Sequence, residues 1–370
     1  MSVVIIGAGF AANYHVNALR AYGQNIDYVV TSNMESARKF AKENRIQNYT
    51  DNIENINLSE ITHMHICTPP FLHADFIIKA LDNNIKVLCE KPLITLKEDY
   101  EKIKEYLISY PDKNNLINIV QNVRFYDAVL KMKEIINSDD FGKIYSVSGN
   151  YMQEFHALPA IYDWRYDTSR ESKMRAVTEI GTHFFDLVRF LTKDEIEILS
   201  ATFLNANPKR ILDGREMFAF CPNDDLNKNI YRNKPTPKII CVENEDAAAI
   251  IFKTKSNAIG NVFLSEIAHG RGNNLYIEII GEKKSVWWNE EEFSKLYIGR
   301  KNKGVETLSF PFGTGFNDTY VRMIKDFYED NTSNLATAID GLQLYDICED
   351  IYRLHTDLSN EYSFTKTMMT

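Results

Sequence analysis

The sequence predicts an α/β protein. Its N-terminal half reads as a doubly wound parallel sheet, and its C-terminal half as an α+β domain with a large open, mostly antiparallel sheet. Two observations lead there. Up to about residue 122, short β-rich runs alternate with segments of helical spacing, the pattern of parallel strands joined by right-handed crossovers. Beyond residue 143, strand-like runs succeed one another with few helices between them, which points to antiparallel pairing.

Taken in order, 3–6 is a strand, 11–22 a helix, 27–31 a strand and 35–44 a helix. A strand at 63–67, a helix at 74–81, a strand at 86–89, an amphipathic helix at 96–107 and a strand at 116–120 continue the alternation, and a helix at 128–136 follows. In the second half a long β-like stretch, 143–155, precedes a helix at 180–191. Strands are expected at 196–205, 247–253, 258–266, 275–280, 285–288 and 295–298, and helices at 318–328 and 341–355. The polar stretch 208–237, rich in Pro and Asn, reads as a surface excursion, and the last ten residues as a loose tail. The expected domains are 1–122 and 123–370.

Bulk properties narrow the function. The chain has 370 residues, 44% hydrophobic and 25% charged, with a net charge of −9. That balance suits two globular domains and lacks the concentrated positive field of a nucleic-acid groove. The short basic run at 300–303 reads as a solvated loop. The five cysteines, Cys67, Cys89, Cys221, Cys241 and Cys348, form no C-x-x-C pair and read as reduced core thiols, with no metal site expected. Met1 and Ser2 lead straight into the first strand without a basic leader, and no apolar run is long enough to span a bilayer. The expected address is therefore cytoplasmic, with no membrane partner.

Gly7-Ala8-Gly9-Phe10-Ala11-Ala12 follows the first strand and opens the first helix as G-x-G-x-x-A. Gly7 permits the tight turn, Gly9 lets main chain approach a pyrophosphate, and Ala12 is small enough for close packing. The helix amides then face the phosphates. This predicts a Rossmann dinucleotide site. The second strand ends in Thr31-Ser32-Asn33, with no carboxylate for a ribose 2′-hydroxyl, and Arg38 lies further on. The expected cofactor is NADP or NAD, with a slight lean to NADP. Without a cofactor, the same three residues are a turn and a helix cap.

Cys89-Glu90-Lys91-Pro92 closes the fourth parallel-strand candidate, at the strand ends where such sheets bind ligands. An ammonium there can polarise an alcohol or carbonyl oxygen; read alone, the tripeptide is only a charged turn. In Glu179-Ile180-Gly181-Thr182-His183-Phe184-Phe185-Asp186, helical spacing puts Glu179, His183 and Asp186 on one side. A carboxylate beside an imidazole suits general acid–base work, although a lone His on an apolar helix is more often a packing residue.

Together with Thr68-Pro69-Pro70, His73 and Trp164-Arg165, these motifs occur in the order of the Gfo/Idh/MocA oxidoreductases, which the chain resembles over almost its whole length. The resemblance implies reversible, nicotinamide-dependent oxidation of a sugar or inositol hydroxyl. It implies an open C-terminal sheet that makes homo-oligomer contacts in a dimer or tetramer. It makes Lys91 the family lysine and His183 the family histidine, with Glu179 where the family usually has Asp. Thr68, Pro69, His73, Glu90 and Lys91 would join Gly7, Gly9, Phe10, Ala11, Thr31, Ser32, Asn33 and Arg38 around the cofactor. Candidates to hold a small polyhydroxylated substrate are Arg124, Tyr126, Tyr151, Gln153, Trp164, Arg165, Arg175 and His183. Arg175-Ala176, 268–273 and Trp287-Trp288-Asn289 are similar to a branch that includes enzymes of levoglucosan and inositols. Two other readings stay open: a glycosidase or lyase that recycles its cofactor, and a non-catalytic dinucleotide-binding regulator.

Overall fold

Val3–Ile6 consists of four β-branched residues, all buried, and forms the first strand, β1. Alternate side chains serve two cores. Val3 and Ile5 pack with Val16, Leu19 and Phe327 on one face, and Val4 and Ile6 with Met64, Ile77 and Val87 on the other. A strand buried on both faces is the mark of a parallel sheet covered by helices on each side. The computed structural model describes residues 1–157, 164–212, 238–312 and 315–368. They fall into two units, Met1–Leu130 with Phe312–Tyr345, and Lys131–Pro311 with Asp346–Thr370.

In the first unit, β1 leads into α1 (Phe10–Tyr22), β2 (Tyr28–Val30), α2 (Met34–Glu43) and β3 (Asn48–Thr50). Then come β4 (His63–Ile66), α3 (His73–Asp82), β5 (Lys86–Cys89), α4 (Lys97–Ser109) and β6 (Ile117–Ile119). The sheet order is β6-β5-β4-β1-β2-β3, every neighbour parallel. β1 lies between β4 and β2, so the strand order reverses there, the point at whose carboxyl ends sheets of this kind bind ligands. A short strand, Ala336–Thr337, adds antiparallel to β6. The helix Phe316–Tyr328 buries Met323, Ile324 and Phe327 in the core that also holds Val3 and Ile5. Residues 312–345, which the sequence division grouped with 123–370, therefore belong to the compact N-terminal unit.

α5 (Asp127–Ile136) is followed in the second unit by β7 (Ile144–Met152), a π-helical turn Val177–Gly181 and α6 (Thr182–Thr192). The strands β8 (Ile196–Leu204), β9 (Lys209–Leu212), β10 (Lys238–Cys241), β11 (Ala247–Thr254) and β12 (Ile259–Ser265) come next. β13 (Asn274–Gly281), β14 (Lys284–Asn289), β15 (Lys295–Arg300) and β16 (Gly304–Ser309) complete the set. Eight of them form one open sheet in the order β16-β15-β14-β13-β7-β12-β11-β8, antiparallel except where β7 meets β12. β11 and β12 alternate buried and exposed residues, as one covered face requires. α6 lies close enough that a Cβ on Gly149 would meet the Phe184 ring at 2.3 Å, so glycine is the residue that β7 can place there.

Several elements differ from the expectation. β3, β16 and Ala336–Thr337 are short or polar and carry little hydrophobic pattern. β9 and β10 pair as a hairpin at the two ends of the 208–237 stretch, whose residues 213–237 lie outside those described, Cys221 among them. The expected loose tail is helical: Ala338–Met368 is one helix. Cys67, Cys89 and Cys348 are buried free thiols, as expected, whereas Cys241 is exposed. Among the described residues, no cluster of ligating side chains could hold a metal ion, and no helix is long and apolar enough to cross a membrane.

Candidate active site

The turn between β1 and α1 is built around its two glycines. Gly7 has φ +103°, and its N–H donates to Val30 O at 2.7 Å. A Cβ there would stand 2.6 Å from the carbonyl oxygen of Cys67 and 2.9 Å from its carbon, so only glycine fits without moving main chain. Gly9 caps α1 with φ −81° and ψ −166°, and a Cβ on it would meet nothing within 4 Å. Open space above Gly9, a 13-residue helix starting there and no acidic residue in its first turn make an anion cradle. Ala11 is half-buried beside it and Ala12 is fully buried. Phe10 is 66% exposed and meets the Tyr14 ring edge-on at 4.9 Å.

Neighbouring strand ends add polar groups. The Thr31 hydroxyl donates to Asn33 O at 2.7 Å, and Asn33 Oδ1 accepts from Ser36 N–H at 2.9 Å, capping α2. Both side chains of the β2 turn are thus engaged, while Ser32 and Arg38 are exposed. After β4, Thr68 Oγ1 is buried and has no hydrogen-bond partner among the described residues. Pro69 leads into the turn before α3. His73 fixes this region with both ring nitrogens, Nε2 at 2.9 Å from Thr68 O and Nδ1 at 3.1 Å from Leu93 O. After β5, Glu90 is 7% exposed, and its Oε2 accepts the Lys91 main-chain N–H at 3.2 Å. Lys91 is half-buried, and the Lys91–Pro92 bond is cis.

Arg124 and Tyr126, expected in the second domain, lie in this unit beyond β6. Both are buried, with Arg124 Nη2 at 3.5 Å from Asp340 Oδ2.

The second unit holds the other candidates. His183, on α6, is 8% exposed, and its ring centroid lies 6.2 Å from that of Tyr151 at the end of β7. Tyr151 Oη and Gln153 Nε2 both donate to Asn273 Oδ1, at 2.7 and 2.6 Å. Glu179 belongs to the π-helical turn before α6, and such turns recur at functional sites. Its Oε1 lies 3.4 Å from Arg165 Nε. The Arg165 guanidinium stacks on Trp164 at 4.2 Å. Trp164, Arg165 and Glu179 form one group, and Tyr151, Gln153 and His183 another.

Arg175 belongs to a third, buried cluster, and its main-chain O accepts the Glu179 N–H at 2.7 Å. It is 1% exposed, and its guanidinium is held by Glu266 and Asp246. Arg210 shares Asp246 at 2.6 Å, and both arginines stack on Tyr166. Glu245 accepts the main-chain N–H groups of Arg175 and Val177 at 3.0 and 2.8 Å. Burial pushes Glu245 and Glu266 each up to about 7, against the pull of Arg175. Sequence reasoning missed this cluster. Its only signal was the carboxylates set immediately before β11 and after β12, at the ends of apolar runs.

A doubly wound domain with this glycine turn, joined to an open-sheet domain carrying a buried histidine and carboxylate, defines a nicotinamide-dinucleotide oxidoreductase. Residues 1–116 match the oxidoreductase family with an NAD-binding Rossmann fold, and residues 129–287 match the GFO/IDH/MocA C-terminal domain. The chain belongs to the Gfo/Idh/MocA family of oxidoreductases. It is 28% identical over 291 residues to levoglucosan dehydrogenase of Pseudarthrobacter phenanthrenivorans, covering 76% of this chain and 70% of that one. It is 27% identical over 201 residues to inositol 2-dehydrogenase of Pseudarthrobacter chlorophenolicus, covering 53% and 55%. A solved levoglucosan dehydrogenase in complex with NADH and L-sorbose shares the fold, with a TM-score of 0.83 at 24% identity over 96% of this chain and 97% of that one.

Proposed function

We propose that the enzyme interconverts a secondary alcohol and a ketone on a sugar, sugar derivative or cyclitol. The carrying observation is the anion cradle at Gly9, on the same sheet edge as the unpartnered Thr68 hydroxyl and the Glu90-Lys91 turn. Gly7, Gly9 and the first amides of α1 would hold the pyrophosphate, with Thr68, Pro69, His73 and Glu90 shaping the floor. When bound, the nicotinamide supplies hydride exchange with the carbinol carbon.

Lys91 stabilises the developing oxyanion, and His183 holds the hydroxyl proton. Glu179, tied to Arg165, orients His183 or Lys91. Tyr151, Gln153, Trp164 and Arg165 meet substrate hydroxyls, with Arg124, Tyr126 and Arg175 supporting from buried positions. The first unit is thus the dinucleotide-binding domain and the second the substrate domain. The relatives named for levoglucosan and inositol support this substrate class.

The neutral Thr31-Ser32-Asn33 turn supports NADP, and the NADH complex of the solved relative supports NAD. We infer a cytoplasmic enzyme that assembles as a dimer or tetramer, a second copy covering exposed Ile251, Ile259 and Phe263 on the open sheet. Light scattering checks the assembly. The function is tested with sugars, cyclitols and amino sugars against NAD and NADP, following absorbance of the reduced nicotinamide. Steady formation with at least one substrate is expected. Turnover with retained cofactor and no net absorbance change would replace the reading with a cofactor-recycling lyase.

A further inference from the structure

Behind Glu90, three buried side chains that the proposed reaction does not use are joined to it end to end. Glu90 Oε1 lies 3.1 Å from His15 Nε2, His15 Nδ1 lies 2.8 Å from His65 Nδ1, and His65 Nε2 lies 3.0 Å from Tyr328 Oη. His15 and His65 are 0% exposed. Tyr320 Oη donates to the same Glu90 oxygen at 3.3 Å. Glu90 follows β5 at the carboxyl edge of the sheet, and His65 lies within β4. Tyr328 ends its helix, stacked on His63 at the amino edge with ring centroids 4.5 Å apart. The chain therefore runs the length of the strands, from the edge with the glycine turn to the opposite one. Around Tyr328, Asp27 and Tyr22 are only half-buried.

With both imidazoles neutral, the bonding pattern admits two complete states. In one, Glu90 is a carboxylate accepting from His15 Nε2–H, His15 Nδ1 accepts from His65 Nδ1–H, and His65 Nε2 accepts from Tyr328 O–H. In the other, Glu90 carries a proton and every bond is reversed, the Tyr328 hydroxyl proton pointing away. Both satisfy each buried ring nitrogen with neutral imidazoles, as an interior demands. Burial, reinforced by His15 and His63, holds His65 well below the usual imidazole range, so a fixed charge on its ring is disfavoured.

We propose that Glu90, His15, His65 and Tyr328 form a proton relay between the carboxyl edge of the sheet and solvent at its amino edge. This rests on the reading of the enzyme as an alcohol dehydrogenase. Oxidation breaks the carbinol C–H and O–H bonds and forms C=O; the hydride, with its electron pair, goes to the oxidised nicotinamide, and one proton is left over. Starting from the second state, Glu90 gives its proton to His15 Nε2, His15 gives its Nδ1 proton to His65, His65 gives its Nε2 proton to Tyr328, and Tyr328 releases its own to water, which leaves the first state. The Glu90 carboxylate so formed takes up the reaction's proton once His183 has released it. Reduction runs the sequence backwards. His15, His65 and Tyr328 are positioning residues that act through Glu90.

Two readouts test this. In ligand-free full-length protein carrying 15N-histidine, His15 and His65 should appear as neutral rings of opposite tautomer. A shared tautomer, or a cationic ring at neutral pH, overturns the relay whether or not a substrate is known. In stopped flow with a pH indicator, wild-type proton release should keep pace with formation of reduced nicotinamide. In Tyr328→Phe, which removes only a hydroxyl, and in His65→Leu, release should lag by a factor on the order of ten to a hundred. Release in step with hydride transfer in Tyr328→Phe overturns the proposal. Wild-type protein that turns over no alcohol refutes the dehydrogenase reading instead, and the tautomers then decide the relay alone.

Discussion

Alanine at each of the two turn glycines separates a folding role from a binding role. At Gly7 the new Cβ would stand 2.6 Å from main-chain oxygen, in a residue held at φ +103°. The backbone conformation costs a non-glycine residue about 1–3 kcal/mol, and pressing the methyl into main chain costs a similar ~1–3 kcal/mol. The turn has little room to yield, because Gly7 N–H donates to Val30 O and Cys67 N–H to Ile6 O, at 2.7 and 2.8 Å. Bonds of that kind contribute about 1 kcal/mol each. Gly7→Ala should therefore lose about 2–6 kcal/mol of stability without any ligand present. At Gly9 the backbone is extended and the Cβ enters open space, so Gly9→Ala should change stability by no more than about 0.5 kcal/mol. The same methyl would enter the space proposed for the pyrophosphate, and a loss of about 1.4 kcal/mol in binding is tenfold in Kd. Urea unfolding of the ligand-free proteins and fluorescence titration with NADH measure the two effects. Gly9→Ala that unfolds as early as Gly7→Ala, or binds NADH like the parent, refutes the reasoning.

The remaining predictions concern charge. Lys91→Ala and His183→Ala should each lose a factor on the order of a hundred or more in turnover yet still bind dinucleotide, as read by steady-state rates beside NADH titration; full activity in either rejects its role. Arg175→Met should lower stability by about 3–5 kcal/mol, because Asp246 and Glu266 lose a buried partner; a raised KM with an unaltered melting midpoint would place Arg175 on the substrate instead. Glu245 and Glu266 are raised to about 7 in the fold, so the native state holds protons that the unfolded chain, near 4.5, gives up. Their contribution is complete below the unfolded value and fades as pH rises through about 7, so the melting midpoint should fall between pH 5 and 8. Glu266→Gln should flatten that slope, and an unchanged slope refutes the assignment.

The parallel half was legible because its strands are buried on both faces. Val3–Ile6 and Lys86–Cys89 are short apolar runs bounded by helices of clear period, and the structure moves their neighbours by only a residue or two. What escaped was structure that tertiary pairing imposes on weak local signals. Ala336–Thr337 is a strand only because β6 offers an edge, and residues 312–345 join the first unit only because Met323, Ile324 and Phe327 complete a core begun by Val3 and Ile5. Spacing along a chain carries no information about which core a helix will join when the partner lies 300 residues away.

The same asymmetry governs the site. Gly7 was readable because one steric demand, a positive φ against the Cys67 carbonyl, admits one residue type. Arg175 was ambiguous because a long cation beside a motif looks the same whether it meets a substrate or two buried carboxylates, and those carboxylates lie about seventy and ninety residues further on. His15 and His65 gave least warning. His15 sits among apolar neighbours on a helix and His65 alternates with Met64 and Ile66 in a short strand, the pattern of ordinary packing histidines. Their contact is made by parallel pairing of β1 with β4 and by the seating of α1 on that pair. Two buried imidazoles at 2.8 Å must share one proton between them, and that constraint exists only once the sheet has formed. A proton path of this kind is a property of the fold's third dimension, which is why its test lies in the tautomers and not in a motif.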